Sequence, residues 1–214
     1  MEKKVLALTL GLTMALSLAA CGGNTGSSTS GSGAASGSGA DASTSRSRSS
    51  GDLITLGFAQ VGHESDWRTA STKSAQDVFS EENGYQLSFI DCDNDSATQL
   101  EAVRGFIQQG VDYIIIDPIV STGWDAVLTE CEDAGIPVIV IDRTIDDSDK
   151  YVTWVGSDFK TEGLACGEWL KAYAEAKGIT EINALVIEGS TGASATIGRT
   201  EGFKEVAHRE GWTI

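Results

Sequence analysis

The sequence predicts an α/β fold built on an open, doubly wound parallel sheet, and three observations carry that prediction. From Leu53 onward the hydrophobic period alternates between short strand-like runs and segments with helical spacing. The strand-like runs are continuous rather than alternating, as in Tyr113-Ile114-Ile115-Ile116, which suits strands buried on both faces and joined by crossover helices. Glycine stands just past each of the first three helical segments, at Gly84, Gly110 and Gly135, where the left-handed conformation that ends helices suits it best.

Taken in order, the first strand runs from Leu53 to Phe58 and the first helix from Ser65 to Glu82. A strand at Tyr85 to Ile90 leads to a helix at Ser96 to Gln109, for which Asp95 is placed as N-cap. The strand Tyr113 to Ile116, the helix Thr122 to Ala134 and the strand Val138 to Ile141 complete a first lobe. After an acidic connector, Asp146-Asp147-Ser148-Asp149, a strand at Tyr151 to Val155 and a long helix at Thr161 to Lys177 read as the opening of a second lobe. A strand at Asn183 to Ile187 and a helix from Ala193 to Glu210 follow, and another strand is due at Trp212-Thr213-Ile214. Right-handed crossovers place the loops after each strand along one edge, where such sheets bind ligands.

The N-terminal fifty residues are of another kind. Lys3 and Lys4, the apolar run Val5 to Leu18 and the small residues before Cys21 read as an export signal. Leu18-Ala19-Ala20-Cys21 resembles a bacterial lipobox, so residues 1–20 are expected to be removed and Cys21 lipidated. Residues 22–51 are nearly all Gly, Ser, Ala and Thr and cannot bury enough apolar surface to offset ordering entropy. A chain of that length has a reach of roughly 30 Å, and it is read as a disordered tether.

Composition narrows the function classes. The net charge is -16, and residues 52–214 hold all five tryptophans. No basic stripe is present to neutralise phosphates, so no nucleic-acid partner is expected. Cys92, Cys131 and Cys166 lack Cys-x-x-Cys spacing and a nearby histidine pair, and are read as small buried thiols rather than a zinc site. The Asp91, Asp93, Asp95 alternation has Ser96 where a calcium loop needs its sixth-position glycine, and Ala102 where it needs its twelfth-position glutamate. Neither a metal nor a cofactor is predicted.

Strand ends carry the candidate chemistry. Gln60 to Arg68 follows the first strand and brings the Trp67 indole beside the Arg68 guanidinium. An indole stacks on the C–H face of a sugar ring, and arginine offers a fork of donors to adjacent oxygens. Trp67 could equally pack on the lobe surface with Arg68 solvated. Asp142-Arg143 ends the fourth strand and sets an acceptor beside a donor, able to satisfy a vicinal diol or to form a local ion pair. Ser194 and Arg199 lie early in the last helix, facing the cleft, or with Arg199 on the surface beside Glu201 or Glu205. Gly189-Ser190-Thr191-Gly192 fits neither phosphate-binding glycine pattern, and no G-x-S-x-G nucleophile elbow occurs. No enzyme is predicted.

These residues resemble a known family, the substrate-binding lipoproteins of sugar ABC importers, with the type I periplasmic-binding-protein fold of ribose and galactose binders. The resemblance is closest to the galactofuranose-binding branch. It runs through Gly57 to Gly62 and Glu64 to Arg68, Ala102 to Asp112, Pro118 to Trp124, Ile136 to Arg143, Gly192 to Arg199 and Glu201-Gly202-Phe203. It implies two lobes, at residues 52–144 and 145–214, that close on a monosaccharide by a hinge motion and present it to a membrane permease. It also implies that Trp67, Arg68, Asp142, Arg143 and Arg199 contact the sugar, with Glu64 and Ser194 as further candidates. Members of the family continue for more than a hundred further residues, so the expectation is a truncated copy with an incomplete second lobe that binds sugar poorly alone. A sensor that shows its bound sugar to a membrane kinase or receptor uses the same cleft and stays open beside import. Repressors that share the fold are excluded by the export signal.

Overall fold

A computed structural model describes residues 52–214. The signal peptide expected at residues 1–20, the lipidation expected at Cys21 and the tether expected at residues 22–51 lie outside the described residues. Among the described residues no helix is long and apolar enough to cross a membrane.

Eleven segments follow one another among the described residues. They are β1 (Ile54–Gln60), α1 (Asp66–Val78), a 3-10 turn at Glu81–Asn83, β2 (Tyr85–Asp91), α2 (Ser96–Gln109), β3 (Tyr113–Ile116), α3 (Asp125–Asp133), β4 (Val138–Asp142), β5 (Thr153–Gly156), α4 (Phe159–Lys177) and α5 (Ser194–Glu210). The five strands form one sheet in the order β2-β1-β3-β4-β5, and every pairing is parallel. β1 lies inside the sheet with β2 on one side and β3 on the other. That reversal of strand order opens a crevice at the C-terminal edge, the usual ligand position in open α/β sheets.

Side-chain alternation explains how the sheet is covered. Ala59, Ile114, Ile116, Val138 and Val140 point to one face and join Val103 and Phe106 of α2 and Val127, Leu128 and Cys131 of α3 in the main core. Phe106 and Leu128 are fully buried, and burial of that kind is worth roughly 1.5–3 kcal/mol for each side chain. On the other face Phe58, Ile115, Ile139 and Ile141 line an open groove with α1.

The helix boundaries follow local chemistry. Asp95 caps α2 by accepting from Thr98 N at 2.6 Å, as the sequence predicts, and Gly110 ends it with φ of 66°. The first helix is shorter than its periodicity suggests. It stops at Val78, and a separate 3-10 turn carries the chain to Gly84.

Two strand assignments change. Residues 151–155 read as the start of a second lobe, yet β5 pairs with β4 from Ile139↔Thr153 to Asp142↔Gly156. Trp154 packs against the first-lobe core, and its Nε1 donates to Asp142 O at 3.3 Å. A lobe division at residue 144 is therefore corrected: the first sheet continues to Gly156. Residues 183–187, read as a strand, form a single bridge between Asn183 and Thr213. Leu185 and Ile187 are 89% and 90% exposed, because an apolar strand needs a sheet face to bury it and no strand pairs with this segment among the described residues.

Helices α4 and α5 pack against each other through glycines. A Cβ at Gly163 would overlap the Arg199 carbonyl, and one at Gly202 would overlap the Lys160 carbonyl. This close approach brings Arg199 of α5 over Phe159 of α4, with the guanidinium carbon 4.7 Å from the ring centroid.

Candidate functional site

The C-terminal edge of the sheet gathers the charged residues. β1 ends at Gln60, and Ser65 caps α1 by accepting from Arg68 N at 3.2 Å. That cap fixes the first helical turn and turns Arg68 inward, where it is only 4% exposed. Its Nε donates to Glu64 Oε1 at 2.9 Å, its Nη2 donates to Asp142 Oδ2 at 2.9 Å, and its Nη1 is bound to Asp117 Oδ2. One guanidinium thus ties together the ends of β1, β3 and β4. Burial alone would lower the Arg68 pKa, but Asp117, Glu64 and Asp142 outweigh it and hold the pKa above its ordinary value.

Asp142 ends β4 with φ of 57°, a left-handed conformation that Asp adopts more readily than most non-glycine residues. The neighbouring strand leaves room for it. Gly156 faces Asp142 in register, and a Cβ there would overlap the Asp142 carbonyl oxygen.

Arg143 is also buried, at 8% exposure. Its Nη1 donates to Ile119 O at 3.2 Å, and its Nη2 lies 3.9 Å from Glu64 Oε1. Its Nε is buried without a hydrogen-bond partner. Burial lowers its pKa, and the adjacent Arg68 adds to that. Asp142 therefore pairs with Arg68 rather than with Arg143.

A cavity of about 290 Å³ opens over this cluster, lined by Glu64, Ser65, Trp67, Arg68, Asp142, Arg143, Phe159, Ala195 and Arg199. Its size lies near the lower end of small-molecule sites, roughly 300–1,000 Å³. Trp67 is 58% exposed, and the Arg68 guanidinium carbon lies 4.8 Å from its ring centroid. Arg199 donates from Nε to Glu162 Oε2 at 2.8 Å, so its partner is on α4 and not Glu201 or Glu205. Six of the seven predicted site residues line the cavity, and Ser194 does not. Its Oγ accepts from Thr144 N at 2.9 Å, which pins the start of α5 to the segment after β4.

Sequence reasoning missed Asp117, Phe159 and Glu162. Asp117 directly follows β3 just as Arg143 follows β4, so the strand-end rule applied to every strand finds it. Phe159 lines the cavity and Glu162 pairs with Arg199 beside it, both through the α4–α5 packing, which no local pattern announces. Cys92 and Cys131 are buried as expected, but Cys166 is exposed on α4, where it lines an open groove beside α5. No cluster of metal-ligating side chains exists among the described residues.

A sheet that reverses strand order and gathers buried arginines and carboxylates at its C-terminal edge defines an α/β solute-binding fold. The chain belongs to the periplasmic binding protein domain family, which it matches over residues 56–214. It is 44% identical over 154 residues to the galactofuranose-binding protein YtfQ of Escherichia coli K12, covering 71% of this chain and 47% of that protein. Among solved structures, a Mycobacterium smegmatis protein in complex with β-D-fucofuranose matches with a TM-score of 0.68 and 47% identity, over 73% of this chain and 52% of that one. The fructose-binding periplasmic domain of the hybrid two-component system BT1754 matches with a TM-score of 0.65 and 26% identity, over 73% and 50%. The chain spans about half the length of the curated relatives it matches.

Proposed function

We propose that this chain captures a neutral monosaccharide, of the galactofuranose, galactose or ribose type, outside the cytoplasm and delivers it to an ABC importer permease. The observation that carries this reading is the pairing of the cleft arginines. Arg68 engages three carboxylates, Arg199 engages Glu162, and Arg143 lies beside Glu64. Guanidinium groups already neutralised in this way give little to an anion, but their remaining N–H groups alternate with carboxylate oxygens as a diol requires. Trp67 supplies the apolar face for the ring. Glu64, Trp67, Arg68, Asp142, Arg143 and Arg199 are the proposed contacts, and Ser194 is assigned to the crossover. No group here is arranged to make or break a bond.

Thermal shift of the protein from its native membrane, screened against neutral monosaccharides, sugar acids and sugar phosphates, tests this reading. Stabilisation by a neutral sugar is expected, and stabilisation confined to anionic sugars would overturn it. We further propose that Cys21 carries the lipid anchor and residues 22–51 the tether. Intact mass then begins at Cys21 with added acyl chains, whereas an unmodified N-terminus elsewhere contradicts the anchor.

A second reading, a sensor that presents its sugar to a membrane kinase, is favoured by the match to a two-component-system domain. Cross-linking in native membranes separates the two, since a permease partner supports import and a kinase partner supports sensing.

A further inference from the structure

Asp117 is completely buried at the end of β3, yet it is not among the residues that line the cavity. Its backbone is fixed on both sides: its N–H donates to Ala59 O at 3.3 Å, and its carbonyl accepts from Gln99 Nε2 at 2.6 Å. Of its carboxylate oxygens, Oδ2 accepts from Arg68 Nη1 and Oδ1 is buried without a partner. The charged groups around it are Arg68 and Glu64 from the β1–α1 segment and Asp142 and Arg143 from the end of β4. From α2 the group in contact is the neutral amide of Gln99.

A buried carboxylate is costly to keep, and a partly satisfied one more so. Its one strong contact is with Arg68, the proposed sugar donor. We propose that Asp117 is a positioning residue: it holds the Arg68 guanidinium in the one orientation that also engages Glu64 and Asp142, and so presents the remaining N–H groups to the ligand. Three of the five guanidinium hydrogens are then committed, and two stay available.

Burial pushes the Asp117 carboxyl up to about 7 against the pull of Arg68. Protonation turns the Arg68 contact from an ion pair, charged on both sides, into a weaker bond between the guanidinium and a neutral acid. The hold on Arg68 therefore weakens as pH falls through neutrality, and sugar affinity falls with it. The consequence for affinity rests on the proposed sugar site, whereas the hold on Arg68 does not.

The test is NMR of the Arg68 Nε–Hε group in the full chain, with a pH titration from 5.5 to 8.5, alongside sugar affinity over the same range. In the wild type the Arg68 signal should move with a midpoint near 7, together with the Asp117 carboxyl carbon. Asp117→Asn should abolish that midpoint and lower affinity about ten-fold, the order of weakening expected when an ion pair loses the charge of its acceptor. An Arg68 signal that stays flat while the Asp117 carboxyl titrates overturns the proposal using the wild type alone, whether or not the variant folds. So does an Asp117→Asn protein with unchanged Arg68 titration. Absence of sugar binding with the expected Arg68 behaviour supports the positioning role and defeats the sugar reading. Sugar binding that is unaffected by Asp117→Asn defeats the positioning role alone.

Discussion

Arg68 and Asp142 stand 74 positions apart in sequence, and Arg68 Nη2 donates to Asp142 Oδ2 at 2.9 Å. That bond joins the first turn of α1 to the end of β4 across the mouth of the sheet. Both residues line the proposed ligand cavity, so the contact that stabilises the edge also shapes the site.

Replacing Arg68 separates charge from geometry. Arg68→Lys keeps one positive charge but loses the fork that reaches three carboxylates, and should weaken both fold and ligand binding. Arg68→Ala leaves Asp117 buried without its cation and should cost about 3–5 kcal/mol of stability. Urea unfolding of the three proteins checks this order.

Acidity should act on the fold in a defined direction. The Asp117 carboxyl is raised from 3.8 to about 7 in the folded state, first by burial. Between those values the folded chain binds more protons than the unfolded one, so this contribution to stability declines as pH rises and levels off above about 7. Melting temperatures from pH 4.5 to 8.5 should show that slope, and Asp117→Asn should flatten it.

Gly156 should not tolerate a side chain. Gly156→Ala drives a methyl group into the Asp142 carbonyl and disturbs the left-handed turn that aims Asp142 at Arg68. A loss of about 1–3 kcal/mol is expected, with weaker ligand binding, as measured by denaturant titration and calorimetry.

The thiols should differ sharply in reactivity. Burial pushes Cys92 up to about 12 and Cys131 to about 11, whereas Cys166 is exposed. Peptide mapping after brief alkylation of the native protein should find Cys166 modified, with Cys92 and Cys131 modified only after denaturation.

Much of the first lobe was legible in the sequence because its strands are continuous apolar runs and α2 and α3 end at or just before a glycine. Tyr113–Ile116 and Ser96–Gln109 match the periodicity to the residue. β5 was placed in the wrong lobe because a four-residue strand carries no sign of which sheet it joins, and only the pairing with β4 decides that. Residues 183–187 show the converse, a strand-like sequence without a strand, since pairing is a tertiary event. In the site, Arg68, Asp142 and Arg143 were readable as polar residues at strand ends and a helix start. Asp117 was passed over because a carboxylate before proline looks like a turn residue until its burial is seen. At Ser194 the sequence gives no direction, because a hydroxyl at a helix start serves a cleft or a backbone N–H equally well, and in the structure its Oγ accepts from Thr144 N.

Calorimetric titration of a neutral furanose sugar into the protein from its native membrane, with Arg68→Met in parallel, tests the central claim most directly. Saturable binding by the wild type, lost or reduced at least about a hundred-fold in the variant as expected for an anchoring contact, is the predicted result. No binding of any neutral monosaccharide by the native protein, or binding indifferent to Arg68, would contradict it.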